Sequence, residues 1–550
     1  MLASDAPEAS EATAASGRAK ARARFAVEIA VVFALALGGL VAASRGFGLT
    51  WDEATYFRYA DSIRAWWRAG APADAAALAH FWAYDLYSNP HPPFMRIVAA
   101  IGSAAVERRL PFPTDYRFGH FVWIAGCLAG AFVLLRRRWP PILAATAICF
   151  VALQPRVFGH LLIASSDSPI ALGWLLLALL AWRLGDDQAA PANGRRRRAA
   201  LWIAFFLVAG CAAASKFTGF LALLPIGAFF VWRRRWRDAA MVAAASLWAL
   251  LFVVIVSPHL WHHPLAGVLS YVQYPLQRQA VPFSTAYFGR LYRNDLPWHY
   301  FFVMSAITMP PLALALLPAA ALARGELRNL LAPIGFAVAF WLVLVHLPNT
   351  PRHDEVRQFL SVYPLLGIVA WAGLVAALER VGRERPRWRS PRVAATACAL
   401  AVSVLAATVA RAHPFELSSY NGFIGGVRGA ERAGMEMTLY FESVDRGVLR
   451  ALERYPHPGE TLFMSPFWPA LFESYVQHDV LHSPLALLPQ HPDERPDWLL
   501  LVRRRYIFDD KLFLALPAVY EVRYDGVPLV KLVRIADVPA RTPTGPRPSP

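Results

Sequence analysis

The feature that most constrains this chain is a series of apolar runs of membrane length. Runs of about 16–22 residues recur along it, separated by Arg clusters or by loops rich in Pro and aromatic residues. They fall at 25–44, 116–135, 139–154, 169–184, 199–214, 217–233, 238–256, 299–322, 329–347, 358–379 and 392–412. A composition that is 57% hydrophobic, with a mean hydropathy of +0.36, agrees. An ordinary soluble domain is less apolar. The expected fold class is therefore mainly α: a polytopic membrane protein of about eleven transmembrane helices.

The Arg clusters orient it. They sit at Arg136 to Arg138, Arg195 to Arg198, Arg233 to Arg235 and Arg383 to Arg392. Positive residues collect on the cytoplasmic side of a membrane protein. A shorter apolar run at 94–106 decides the rest. If it crosses, every later Arg cluster falls outside. If it lies along the surface, all of them fall inside. It is also short for a crossing. We therefore expect a juxtamembrane helix at 94–106, a cytoplasmic N-terminus and a multi-pass inner (plasma) membrane protein. The run at 25–44 reads as an uncleaved anchor, because no small-residue cleavage site is followed by a soluble domain. Segment 1–24 reads as a disordered cytoplasmic tail.

The formal charge of +17 is explained by this placement, so no nucleic-acid partner is expected. The four cysteines, Cys127, Cys149, Cys211 and Cys398, lie in apolar runs without metal-ligand or CxxC spacing. They read as small apolar residues, and no disulfide framework is expected.

With this topology the polar chemistry sorts to one face. The outer segments are 45–115, 155–168, 257–298, 348–357 and everything after about 413. Segment 25–412 is the membrane domain. Segment 413–540 changes to ordinary polarity and reads as a small extracytoplasmic α/β domain. Strands are expected at Thr461 to Met464 and Trp498 to Val502. A hairpin from 519 to 533 turns at Asp525-Gly526. Helices are expected at Asp445 to Tyr455 and Trp468 to Val476. The Pro-rich end, 541–550, reads as disordered.

Chemistry-bearing residues gather in those outer loops. Trp51-Asp52-Glu53-Ala54-Thr55-Tyr56 follows the first span. Thr50 and Glu53 have capping-box spacing, so a capped helix start competes with a site. Adjacent helical residues do not share a face, so Asp52 and Glu53 are not a symmetrical pair. Asp167, in Ser166-Asp167-Ser168-Pro169, is either a helix cap or a site carboxylate. His91, in Ser88-Asn89-Pro90-His91-Pro92-Pro93, is a ligand or a hydrogen-bonded structural residue. Lys216 stands alone between two apolar runs on the outer side, where anion binding competes with snorkelling. Arg352, His353 and Arg357 either hold a phosphate group or pair with Asp354 and Glu355. His259, His262 and His263 lack a carboxylate at ligand spacing, so zinc is not expected there. Gly-rich 421–429 lacks the GK[ST] of a phosphate loop.

Taken together, these motifs resemble a GT-C membrane glycosyltransferase of the protein O-mannosyltransferase and bacterial aminoarabinose transferase branch. The resemblance rests on Trp51 to Tyr56, His91-Pro92-Pro93, Ser166-Asp167-Ser168-Pro169, Ser215-Lys216-Phe217-Thr218-Gly219 and Arg357-Gln358-Phe359-Leu360 with Tyr363-Pro364. Later passages, Pro297 to Tyr300, Thr308-Met309-Pro310 and His413 through Gly426, resemble a bacterial subgroup, in which Met309 departs from a second Thr. The resemblance spans about 25–440. It implies a polyprenyl-phosphate sugar donor and an inverting transfer to an acceptor hydroxyl on a glycan, lipid or protein. It implies Asp52 as base, with Glu53 and Asp167 positioning acceptor or sugar. Lys216 and Arg357 hold the phosphate, and His91, Arg352 and Tyr56 bind substrate. The expected partners are the lipid-linked donor, membrane lipids and the acceptor. No cofactor is implied, and a divalent metal is not expected. A transporter or lipid-linked sugar flippase is the competing class. It would bind near the bilayer midplane on broken helices.

Overall fold

The computed structural model describes residues 6–539 apart from 83–90, 108, 187–192, 278–283, 294, 348–349, 351, 483–484, 490–493 and 506. The expected tail 541–550, and Ser88-Asn89-Pro90 before His91, lie outside the described residues.

Helix α1 runs Ala6–Ser44, so residues 6–24, expected as a disordered tail, instead extend the first span as helix. Ala, Glu, Arg and Lys dominate that stretch, and all are strong helix formers. Helices α2 (Trp51–Arg68), α3 (Ala75–Phe81) and α4 (Phe94–Val106) fill the first long loop. Helix α4 has the bounds expected for the short apolar run at 94–106. It packs on α5 (Thr114–Arg136) at a backbone-to-backbone crossing. A Cβ on Gly102 would lie 2.2 Å from the Gly119 nitrogen, so this contact requires glycine.

The chain continues through α6 (Pro141–Ala152), α7 (Pro155–Leu162), α8 (Asp167–Asp186) and α9 (Asn193–Ala213). Next come α10 (Phe217–Phe220), α11 (Leu223–Trp232), α12 (Trp236–Ile255) and α13 (Pro264–Gln277). A hairpin of β1 (Ser284–Tyr287) and β2 (Arg290–Arg293) follows. Then come α14 (Tyr300–Thr308), α15 (Pro311–Leu316), α16 (Gly325–Leu344), α17 (Val362–Glu384) and α18 (Pro391–Ala412).

Every expected span coincides with helix, but the count of about eleven crossings exceeds what length and apolar character support. Among the described residues, seven single helices are long and apolar enough to cross, or up to nine if each bent pair is one span. The bent pairs are α6 with α7, at 79°, and α14 with the segment Pro311–Leu322, at 114°. Both breaks fall at proline, Pro155 and Pro310-Pro311, where the ring removes a helical N–H donor and restrains the preceding residue. The remaining two expected spans are α9, which begins in an Arg cluster, and the short apolar stretch Phe217–Trp232.

After α18 the chain forms the small mixed domain. It contains α19 (Gly426–Arg432), α20 (Arg446–Arg454), β3 (Thr461–Ser465), α21 (Pro469–Gln477), β4 (Ala486–Leu487), β5 (Trp498–Val502), α22 (Asp510–Ala515), β6 (Tyr520–Tyr524) and β7 (Val527–Arg534). The sheet order is β4-β3-β5-β7-β6. Strand β3 is parallel to β4 and β5, whereas β7 is antiparallel to β5 and β6. The Asp525-Gly526 turn closes the β6–β7 hairpin with both residues left-handed, as the dipeptide favours.

This domain is seated on the first loop. The Gly48 N–H donates to the Glu442 carbonyl at 3.0 Å. The Leu49 N–H donates to the Tyr475 hydroxyl at 2.6 Å. Trp51 packs among Tyr440, Phe441 and Trp468, with ring centroids 5.6–6.0 Å away.

Candidate active site

Helix α2 begins at Trp51, and its first turn splits the two adjacent carboxylates. Glu53 is fully buried. Its Oε1 accepts from Arg117 Nε at 2.7 Å and from the Ala164 N–H at 2.8 Å. Its Oε2 accepts from Arg117 Nη2 at 2.7 Å and from the Thr50 N–H and Oγ1 at 3.0 Å. Glu53 thus caps the helix, as its spacing from Thr50 predicts, and clamps the first outer loop to the 155–168 segment. Arg117, on α5, also donates to the Phe47 and Gly48 carbonyls. With every side of its carboxylate engaged, Glu53 is not brought into the cluster that forms around Asp52.

Asp52 turns the other way. Its Oδ2 pairs with Arg357 Nη2. The same guanidinium reaches Asp167 Oδ2 through Nε at 2.9 Å and Asp354 Oδ2 through Nη1 at 3.1 Å. Asp167 opens α8, and its Oδ1 accepts from Lys216 Nζ at 2.8 Å. Four separated segments therefore converge: the starts of α2 and α8, the α9–α10 turn, and the Asp354–Arg357 loop. Asp52 is the accessible carboxylate, with its side chain 25% exposed against 5% for Asp167 and 0% for Glu53. Burial lifts the Asp52 carboxyl above its ordinary range, against the pull of Arg357. Asp354 is also buried, but His353, Arg357 and Arg504 hold its carboxyl below the usual range.

Local backbone places Arg357. Asp354 and Glu355 both adopt left-handed conformations, with φ of 57° and 53°. Such residues cost about 1–3 kcal/mol each unless their surroundings hold them. Here Asp354 is paired to Arg357, and Glu355 pairs with Arg156 and accepts from the Tyr420 hydroxyl at 2.9 Å.

The other sequence-derived candidates divide. Tyr56 is buried beside the cluster, with its hydroxyl 3.4 Å from Ser166 Oγ. His91 is tied in from behind: its carbonyl accepts from Arg96 Nη2 at 2.7 Å, and that guanidinium lies over the Tyr56 and Tyr59 rings. Arg352 points away, donating to the Leu296 carbonyl at 2.9 Å, and so anchors the 257–298 loop. Among the described residues, no group of three or more His, Cys, Asp or Glu is arranged to hold a metal.

Sequence reasoning missed two groups. Tyr440 comes from the C-terminal domain, and its ring lies 4.9 Å over the Arg357 guanidinium. Its buried hydroxyl has no hydrogen-bond partner among the described residues. His160, on α7, is fully buried near Asp167 and Arg357, with neither ring nitrogen partnered among the described residues. His160 stood in a segment already recognised as facing the site. Tyr440 carried no sequence signal, because it lies 83 residues beyond Arg357 (440 minus 357) in a different domain.

The fold and cluster define a class: a multi-pass membrane protein whose carboxylates and cations meet under a small mixed α/β domain. Comparison with known proteins makes this particular. Residues 112–262 match the family model described as dolichyl-phosphate-mannose-protein mannosyltransferase, which bears out the resemblance drawn from the motifs. Among solved structures, ArnT from Cupriavidus metallidurans in the apo state is similar at 14% identity and a TM-score of 0.48, over 94% of this chain and 98% of that one. The same protein bound to undecaprenyl phosphate gives 15% identity and a TM-score of 0.44, over 93% and 97%. The oligosaccharyltransferase AglB from Archaeoglobus fulgidus, in complex with an inhibitory peptide and a dolichol-phosphate, gives 10% identity and a TM-score of 0.47, over 86% and 69%. No curated protein sequence matches the chain.

Proposed function

We propose that this chain is a membrane glycosyltransferase that moves a sugar from a polyprenyl-phosphate donor to an acceptor hydroxyl on the outer face of the inner membrane. The observation that carries the reading is the single guanidinium of Arg357 held between Asp52 and Asp167, with Lys216 on the far side of Asp167. That arrangement sets cations for a leaving phosphate beside an accessible carboxylate. The family match over residues 112–262 supports the same class.

In this reading Asp52 takes the proton of the acceptor hydroxyl as its oxygen attacks the anomeric carbon. The bond from that carbon to the phosphate oxygen breaks on the opposite face, and the configuration inverts. The electron pair stays on the lipid phosphate, where Arg357 and Lys216 stabilise it. Asp167 holds both cations in place and orients the sugar. Glu53 acts through structure, by fixing the first turn of α2. No metal is required for a phosphate leaving group met by two cations.

The competing transport reading has one observation in its favour, the two broken helices bent by 79° and 114°. The two readings differ in chemistry. Membranes carrying the chain should transfer labelled sugar from a polyprenyl-phosphate sugar to envelope material with inversion. Movement of intact donor between leaflets without cleavage would establish the transporter instead.

A further inference from the structure

A second feature lies away from the carboxylate cluster. A cavity of about 920 Å³ is bounded by α4, α5, α8 and α9. It begins beside Pro169 and Ser215 and ends at Arg137, Arg183 and Arg197. Asp167 and Arg183 are 16 residues apart on α8 (183 minus 167), so this end lies about 24 Å from the cluster, near the opposite membrane face. The walls open to the side, with Ile101 56% and Val122 38% exposed.

Apart from Ser215, the lining is mostly apolar until that end. Among the described residues, its charged lining residues are the three arginines, with no carboxylate. Arg183 is 1% exposed, and its Nε and Nη1 have no hydrogen-bond partner among the described residues. Asp186 lies 3.9 Å from Arg183 Nη1, a loose ion pair beyond hydrogen-bond reach. Asp186 is also paired with Arg138. Arg197 feels the like charges of Arg137 and Arg138. A buried guanidinium whose N–H groups are not all bonded is costly unless an anion meets it.

The groove is also kept open. Gly126 sits in the middle of α5, where glycine weakens a helix, yet a Cβ there would meet nothing within 4 Å. The absent side chain leaves space in the groove and relieves no clash.

We infer that this groove is a second lipid site, in which an anionic glycerophospholipid sets its phosphate on Arg183, with Arg137 and Arg197 at the mouth, and lays an acyl chain along α5 past Gly126. The donor lipid does not fit this placement. Its phosphate would sit at Lys216, at the other end, and would leave Arg183 Nε and Nη1 without a hydrogen-bond partner among the described residues. A glycerophospholipid of the leaflet next to the Arg clusters supplies both the anion and a chain of suitable length.

The test is native mass spectrometry of the full chain released from nanodiscs of phosphatidylcholine and phosphatidylglycerol. Retention of phosphatidylglycerol over phosphatidylcholine is expected, falling about tenfold or more in Arg183→Gln, which loses a charge-assisted phosphate contact. Gly126→Leu should give the same loss by filling the groove, and it keeps the test open if Arg183→Gln fails to fold. Equal retention of the two lipids, or retention unchanged in both variants, would overturn the inference. So would loss of the bound lipid in Lys216→Ala together with its displacement by polyprenyl phosphate, since the groove would then hold the donor.

Discussion

The adjacent carboxylates of the first loop should separate cleanly in experiment, and Glu53→Gln is the sharper test of how. The substitution keeps shape and removes charge. Whichever oxygen becomes the amide nitrogen, it faces at least two donors: Arg117 Nε and the Ala164 N–H on one side, or Arg117 Nη2 and the Thr50 N–H and hydroxyl on the other. Breaking one side of a fully buried ion pair costs about 3–5 kcal/mol. Arg117 keeps its bonds to the Phe47 and Gly48 carbonyls, so a loss near the lower end, about 3 kcal/mol, is expected. The assay is cooperative unfolding in mild detergent, combined in a double-mutant cycle with Arg117→Gln. The double variant should lose less than the sum of the singles, because no buried charge is left alone. Unfolding within about 0.5 kcal/mol of the parent chain, together with abolished transfer, would refute the clamp and return Glu53 to the chemistry.

Other expectations follow from the same geometry. Tyr440→Phe removes a buried hydroxyl without a partner among the described residues, so stability should hold while transfer slows roughly tenfold or more, and an unchanged rate would remove the C-terminal domain from the site. Arg357→Gln should lower the transfer rate by about 10²–10³-fold, as loss of a preorganised charge-stabilising group does. Arg352→Ala should instead cost about 1 kcal/mol of stability through its bond to Leu296 and leave the donor KM unchanged. A base works deprotonated, and burial raises the Asp52 carboxyl, so the rate should be full at high pH and fall as pH drops through that raised value. The acid limb of kcat/KM should therefore lie above the ordinary carboxylate value of about 3.9.

What the sequence revealed was set by locality. The apolar runs, the α4 boundaries, the β5 strand and the Asp525-Gly526 turn depend on neighbours a few residues apart, and each formed where the pattern placed it. Capping of α2 by Glu53 was legible for the same reason. Its grip on Arg117 and Ala164 was not, because those partners lie 64 and 111 residues away. The pairing of Asp52 with Arg357 spans 305 residues, and topology could place the two on one face without showing that they touch. Arg352 looked like part of a phosphate clamp because of its neighbours in sequence, yet the left-handed turn at Asp354 and Glu355 sends Arg352 and Arg357 to different partners. Arg117, at the outer edge of the expected span 116–135, could have been singled out as a functional or structural partner. The bend at Pro310 was also written in the sequence, but apolar residues on either side made 299–322 look like one straight span, whereas the span at 139–154 was already ended just before Pro155.

The most direct test of the central claim is sugar transfer by Asp52→Asn in membranes supplied with a polyprenyl-phosphate sugar. The variant keeps the shape of the side chain and removes the base. Transfer should fall by about 10²–10⁴-fold with donor binding retained. Transfer at the parent rate would contradict the assignment of Asp52 as the base and, with it, the account of the site.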